Sequence, residues 1–129
     1  MTSVAAQNLQ WLQRFHEAWA YVAIVANALA GIVLLVCWRV ERWRGRWMWI
    51  LTIAAEAAMM LQVVTGVALV ASDEYVVPRF HMFYGFVAFL TGGIAYSYRP
   101  QMRGRRELFY GLVGLFIMGL GIRAILQVA

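Results

Sequence analysis

Four apolar runs of about 20 residues leave this chain few ways to fold. They are Ala18 to Trp38, Trp47 to Ala71, Phe80 to Tyr98, and Leu108 to Ala129. At about 1.5 Å rise per residue, each run as a helix spans a hydrocarbon core of about 30 Å. Backbone groups in lipid must be satisfied within their own segment, so such runs are expected to be helical. The sequence therefore predicts an all-α integral membrane four-helix bundle, a single domain over residues 1–129, with helices over residues 16–39, 47–71, 80–98 and 107–128. Composition agrees. The chain is 64% hydrophobic and 13% charged, more apolar surface than a soluble domain of 129 residues can hide.

All 11 strong cations are arginine, and the net charge is +5. A basic chain can signal nucleic-acid binding. Here the arginines lie in short loops between apolar runs, so no nucleic acid is expected and the partner is the lipid bilayer. Arg39, Arg42, Arg44 and Arg46 follow the first run, and Arg99, Arg103, Arg105 and Arg106 follow the third. Cytoplasmic loops carry such an excess of arginine, which predicts an N-out, C-out protein of the cell (inner or plasma) membrane. Met1 to Gln13 lacks the basic segment of a signal peptide, and the first run is read as a retained helix. The tryptophans near the helix ends, Trp11 and Trp19 outside and Trp38, Trp43, Trp47 and Trp49 inside, read as interfacial belts. Cys37 is the single cysteine, so no disulfide forms within the chain, and it reads as a small buried hydrophobe.

An internal repeat organises the rest. The first and third helices both open with Arg-Phe-His, at Arg14-Phe15-His16 and Arg79-Phe80-His81. Each is followed by an Arg-Gly-Arg loop, at Arg44-Gly45-Arg46 and Arg103-Gly104-Arg105. The second helices of the two halves resemble each other little. This pattern predicts two parallel helical-hairpin repeats, related by an axis along the membrane normal. His16 and His81, the only histidines, then lie at one depth near the outer surface. Packing of the first helix beside the third would aim both at a shared point. Small residues line one face below each: Ala20, Ala23, Asn27 and Ala30 on the first helix, and Gly85, Ala88, Gly92 and Ala95 on the third. Such stripes serve close helix packing, or leave room for a flat ligand.

Two equivalent histidines on separate helices suit the axial positions of haem iron. Cationic partners for the propionates would be Arg14, Arg79 and Arg123. Arg123 lies inside an apolar run, which marks either a site or a side chain snorkelling to the headgroups. On the second helix, Gln62 with Gly66 could line an outer pocket. Glu56 falls near mid-bilayer and is expected to be protonated or paired with Asn27 or Thr91. A copper or zinc site has less support. Met82 points away from its neighbour His81, and no cysteine or carboxylate joins the pair. The glycines at 92–93 and 111–121 read as packing.

Two helices each carrying one histidine, with Gln62-x-x-x-Gly66 on the helix before His81, resemble one half of haem A synthase. The arrangement is also similar to b-type bundles of the cytochrome b561 kind. The segment His81-Met82-Phe83-Tyr84-Gly85 looks like that of small four-helix membrane proteins of actinobacteria and related bacteria. The resemblance implies His16 and His81 as ligands of one haem b. It departs in scale, since haem A synthase has two such halves and di-haem b561 bundles need four histidines. Three functions stay open: a bis-His haem protein for electron transfer or within a redox complex, a non-catalytic accessory subunit, and a small transporter or quinone-site protein using Glu56 and Arg123. Partners would be other subunits of a respiratory or photosynthetic complex, or a second copy of the chain.

Overall fold

A computed structural model describes residues 4–128. Ala129, the end of the fourth apolar run, lies outside the described residues, as do residues 1–3. Four helices follow one another: α1 (Val4–Arg39), α2 (Arg46–Ala71), α3 (Arg79–Ser97) and α4 (Arg106–Leu126). No strand occurs among the described residues. Seven of the eight helix ends fall within two residues of the sequence expectation. α1 instead starts twelve residues early, at Val4 rather than 16. The segment before His16 is rich in Ala, Gln and Leu and has no Gly or Pro, so nothing breaks the helix where the apolar run stops.

α1, α2 and α4 are each long and apolar enough to cross a membrane. α3, with 19 residues, falls short of the same measure. Its tyrosines, glycines, threonine and serine dilute it. The outside of the bundle is that of a membrane protein. Large apolar side chains such as Ile32, Ile53, Val67, Phe86 and Phe116 are half or more exposed. In water such a surface would aggregate.

The loops follow from local chemistry. Arg44 folds back on α1, its Nε donating to the Cys37 carbonyl and its Nη2 to the Trp38 carbonyl, both at 2.9 Å. These satisfy carbonyls that a helix end leaves orphaned. The same Nε lies 3.9 Å from Glu107 Oε1 at the start of α4, tying the two basic loops together. After α2, Asp73 takes a left-handed conformation (φ 60°) that Asp tolerates better than most residues. The turn it belongs to leads through Tyr75 to Pro78, which line the cavity between the helices, into α3.

Around the bundle the order is α2, α1, α4, α3. α1 packs on both α2 and α4, α4 packs on α3, and α2 barely touches α3. This corrects one expectation: α1 and α3 are not side by side but lie across the bundle from each other. The reason is glycine placement. A Cβ added to Gly31 would stand 2.9 Å from the Gly111 carbonyl, and one added to Gly114 would stand 2.9 Å from the Asn27 carbonyl. These positions let α1 and α4 meet backbone to backbone. The packing role read for the 111–121 glycines is therefore seen at Gly111 and Gly114.

The small-residue stripes are the buried faces. Ala23, Asn27 and Ala30 of α1 and Ala88, Gly92 and Ala95 of α3 all point inward. Asn27 spends both amide hydrogens, on the Ala23 carbonyl at 2.8 Å and the Ala55 carbonyl at 3.0 Å. The Thr91 hydroxyl donates to Val87 at 2.7 Å. No hydrogen bond joins either to Glu56 among the described residues, so of the two expectations for it, protonation or pairing, the pairing is not formed. Two belt tryptophans also turn inward: Trp19 donates to the Ala58 carbonyl at 2.8 Å, and Trp49 meets Tyr110 edge to face.

Candidate functional site

Because α2 and α3 stand apart, a cavity of about 750 Å3 opens between them at the end where the α2–α3 turn lies. That size is typical of a site for a small molecule or cofactor. All four helices contribute walls, and Tyr75 to Pro78 of the α2–α3 turn line it as well. The lining is largely aliphatic and aromatic, with His16, Gln62 and His81 among its few polar side chains.

His16 and His81 converge here from opposite corners of the bundle. Their ring centroids are 6.2 Å apart and their planes cross at 78°. A metal-bound imidazole nitrogen sits about 2 Å from the metal, and the ring centre about 1 Å further, so two rings on one metal have centroids about 6 Å apart. The observed separation matches.

The protonation pattern of both rings can be read from their partners. Thr65 donates its hydroxyl hydrogen to the Gln62 carbonyl at 2.8 Å. Its oxygen is then the acceptor for His16 Nδ1–H, also at 2.8 Å. His81 Nδ1 lies 2.8 Å from the Ala124 carbonyl, which can only accept. Each ring, when neutral, then carries its hydrogen on Nδ1; the His81 Nε2 has no partner among the described residues, whereas the His16 Nε2 accepts from Gln62 Nε2 at 3.4 Å. The Nδ1–H form is the one in which imidazole binds a metal, with the far nitrogen held by a second partner.

These two partners are themselves related. Thr65 is the twentieth residue after Gly45, and Ala124 is the twentieth after Gly104. Each histidine is thus anchored by the second helix of its own hairpin, at the same distance from its Arg-Gly-Arg loop. Sequence comparison of α2 with α4 missed this because one partner is a side chain and the other a backbone carbonyl. Aligning the helices on the loop glycines pairs the two positions but marks neither as a partner of histidine.

The surroundings differ between the two rings. α2 holds His16 with a full turn. Gln62 Nε2 donates to the His16 carbonyl at 2.7 Å and lies 3.4 Å from His16 Nε2. A Cβ on Gly66 would stand 3.0 Å from His16 Cε1, so glycine makes room for the ring. With its nitrogen committed, Gln62 presents a buried Oε1 that has no partner. On α3, by contrast, nothing lies within 4 Å of where a Cβ on Gly85 would stand.

The predicted cationic residues are placed unequally. Arg14 and Arg79 are exposed and are not among the residues lining the cavity. Arg123 reaches the cavity wall at one remove, donating to the Tyr84 hydroxyl at 3.3 Å and stacking over its ring at 5.6 Å. Tyr84 was not singled out by the sequence. Among the described residues no group of three His, Cys, Asp or Glu side chains could hold a metal ion. Bare zinc takes three or four protein ligands. Two imidazoles suit a metal that arrives with its other ligands, as haem iron does. Comparison with family models, curated proteins and solved structures found no match, so the reading of this site rests on its own geometry.

Proposed function

We propose that this chain is a four-helix integral membrane protein that binds one b-type haem between His16 and His81, near the outer face of the cell membrane, and serves electron transfer alone or in a redox complex. The observation that carries the proposal is the pair of imidazoles, 6.2 Å apart, each with Nδ1 bonded so that Nε2 is the nitrogen left for a metal, which at His16 would displace the 3.4 Å contact from Gln62. The cavity beside them is apolar and of cofactor size. When bound, haem would supply a one-electron redox centre. The protein's part is to orient the two rings through Thr65 and Ala124, to exclude water with the aliphatic walls, and to offer Arg123 with Tyr84 as the cationic group nearest the cavity. Arg14 and Arg79 would act on the propionates only from outside its walls.

In this reading α3 is a fourth membrane crossing, sheltered by α4. The Arg-rich loops face the cytoplasm, and the two hairpins are parallel repeats. The equivalent histidine anchors at Thr65 and Ala124 favour duplication, and on that reading the closed α1–α4 seam and the open α2–α3 side are where the two halves differ.

A second reading rests on Gln62 Oε1. A buried acceptor without a partner, on a residue that lines the apolar cavity next to His16, also suits the hydroxyl of a quinol. One spectrum separates the two. The protein is purified in mild detergent from haem-supplemented cells and measured before and after dithionite. A b-type reduced α-band that is lost in His16→Ala supports haem. A colourless protein rejects haem and leaves the quinol reading.

A further inference from the structure

We infer that the cavity opens sideways through the slit between α2 and α3 and takes a long-chain hydroquinone in preference to its quinone, one ring hydroxyl donating to His81 Nε2 and the chain lying in the slit. The inference rests on the quinol reading and deepens it, and it requires no metal.

The slit is a wedge. Its narrow end is shut where Met60 Cε of α2 stands at the position a Cβ on Gly92 of α3 would take. Toward the turn, on the same face of α3, space opens. Ala88 lines the cavity, and nothing lies within 4 Å of where a Cβ on Gly85 would stand. α2 and α3 are the neighbours in the bundle that barely touch, so the gap between them faces outward, into lipid when the helices span a membrane. Val67 of α2 and Phe86 and Phe89 of α3 line the cavity and remain exposed. Beyond Met60, α2 runs on to Ala71, a rise of about 16 Å. That is half of a hydrocarbon core of about 30 Å, so the slit serves one leaflet, the outer one in the orientation proposed above. Its apolar walls suit the chain of a membrane-dissolved lipid.

The head group follows from what is left unpaired. In neutral His81 the Nδ1 hydrogen goes to the Ala124 carbonyl, which leaves Nε2 an acceptor without a partner among the described residues. Gln62 Oε1 is a second acceptor without a partner. The N–H groups nearby are committed. His16 Nδ1–H goes to Thr65, and Gln62 Nε2 donates to the His16 carbonyl at 2.7 Å and lies 3.4 Å from His16 Nε2. These three residues therefore offer acceptors and no free donor. A hydroquinone hydroxyl supplies the missing donor. A quinone carbonyl can only accept, and would set a further lone pair against His81 Nε2 with neither satisfied. Two acceptors on two helices suit a flat head that carries two hydroxyls.

The test is calorimetric titration of the full chain in detergent with a benzohydroquinone bearing one isoprene unit, kept reduced without oxygen, and with its quinone. The hydroquinone should bind about tenfold or more tightly than the quinone, the scale of one buried acceptor satisfied against left unmet. His81→Phe keeps a ring and loses the acceptor, and should lower the hydroquinone to the affinity of the quinone. Gly85→Leu fills the wedge where its Cβ meets no neighbour, and should remove binding of both forms with helix content unchanged by circular dichroism. Gly93→Leu, equally free at its Cβ but not lining the cavity, should leave binding unchanged. Equal affinity for the two forms, or a preference that survives His81→Phe, overturns the inference and leaves the quinol reading standing. Binding that survives in folded Gly85→Leu overturns the slit. If Gly85→Leu does not fold, the wild-type preference and His81→Phe decide. Binding of neither form rejects the quinol reading itself, and this inference with it.

Discussion

Thr65 Oγ1 receives the Nδ1 hydrogen of His16 across 2.8 Å, and in doing so fixes which nitrogen of the ring faces the cavity. Partners of this kind are worth about 10- to 100-fold in metal affinity. Thr65→Val keeps the shape and removes the acceptor. It is expected to weaken haem binding by about tenfold or more, with Thr65→Ser restoring it. Haem titration of the apoprotein measures both, and equal affinity in all three proteins would refute the assigned role of Thr65.

Gly66 gives a second handle on the same ring. A Cβ there meets His16 Cε1 at 3.0 Å, and the two ring nitrogens Nε2 and Nδ1 at 3.5 and 3.7 Å. Gly66→Ala asks the ring to yield by a few tenths of an ångström and should be tolerated. Gly66→Leu places further atoms where the ring stands and should displace it. The expected outcome is loss of the six-coordinate spectrum with unchanged helix content by circular dichroism. Retention of that spectrum in Gly66→Leu would mean the ring is not confined there.

The α1–α4 seam is predicted to carry much of the stability. Gly114 has the Asn27 carbonyl at 2.9 Å and the Gly31 backbone at 3.1 Å from a would-be Cβ. Backbone cannot give way as a flexible side chain does. Gly114→Val should destabilise the bundle by about 3 kcal/mol or more, at or above the usual range for overpacking. Gly93→Val should be mild, since nothing lies within 4 Å of its Cβ position. Thermal unfolding in detergent compares the pair, and similar midpoints would contradict the seam.

Topology is testable by cysteine accessibility, because the native Cys37 is buried and can be replaced. In a Cys37→Ala background, Glu74→Cys is expected to react with a membrane-impermeant maleimide in intact cells. Arg103→Cys should react only after lysis. The opposite pattern would invert the orientation drawn from the arginine loops.

Much of the fold was legible because membrane insertion makes length and polarity decisive. The four helices, the loop positions and the inward stripes at Ala23, Asn27 and Ala30 all follow from runs and periodicity. The early start of α1 was not, since an apolar run marks where lipid is expected and not where helix begins. Neighbour order was not either. The placing of α1 against α4 depends on which glycines face each other, and Gly31, Gly111 and Gly114 look no different in sequence from Gly93 or Gly119. Within the site, His16, His81, Gln62 and Gly66 were legible as polar or small residues in apolar runs, and the cavity gathers all four. Thr65 and Tyr84 were not, because a threonine or tyrosine in a membrane helix has many roles. Ala124 could not have been, since it acts through its backbone.

The central claim is that two neutral imidazoles share one iron. Electron paramagnetic resonance of the oxidised, haem-loaded protein tests it most directly. Two histidine ligands with planes near the observed 78° predict a low-spin signal with strongly anisotropic g-values, abolished in both His16→Ala and His81→Ala. A high-spin signal in the wild type, or a low-spin signal that survives either substitution, would contradict the account.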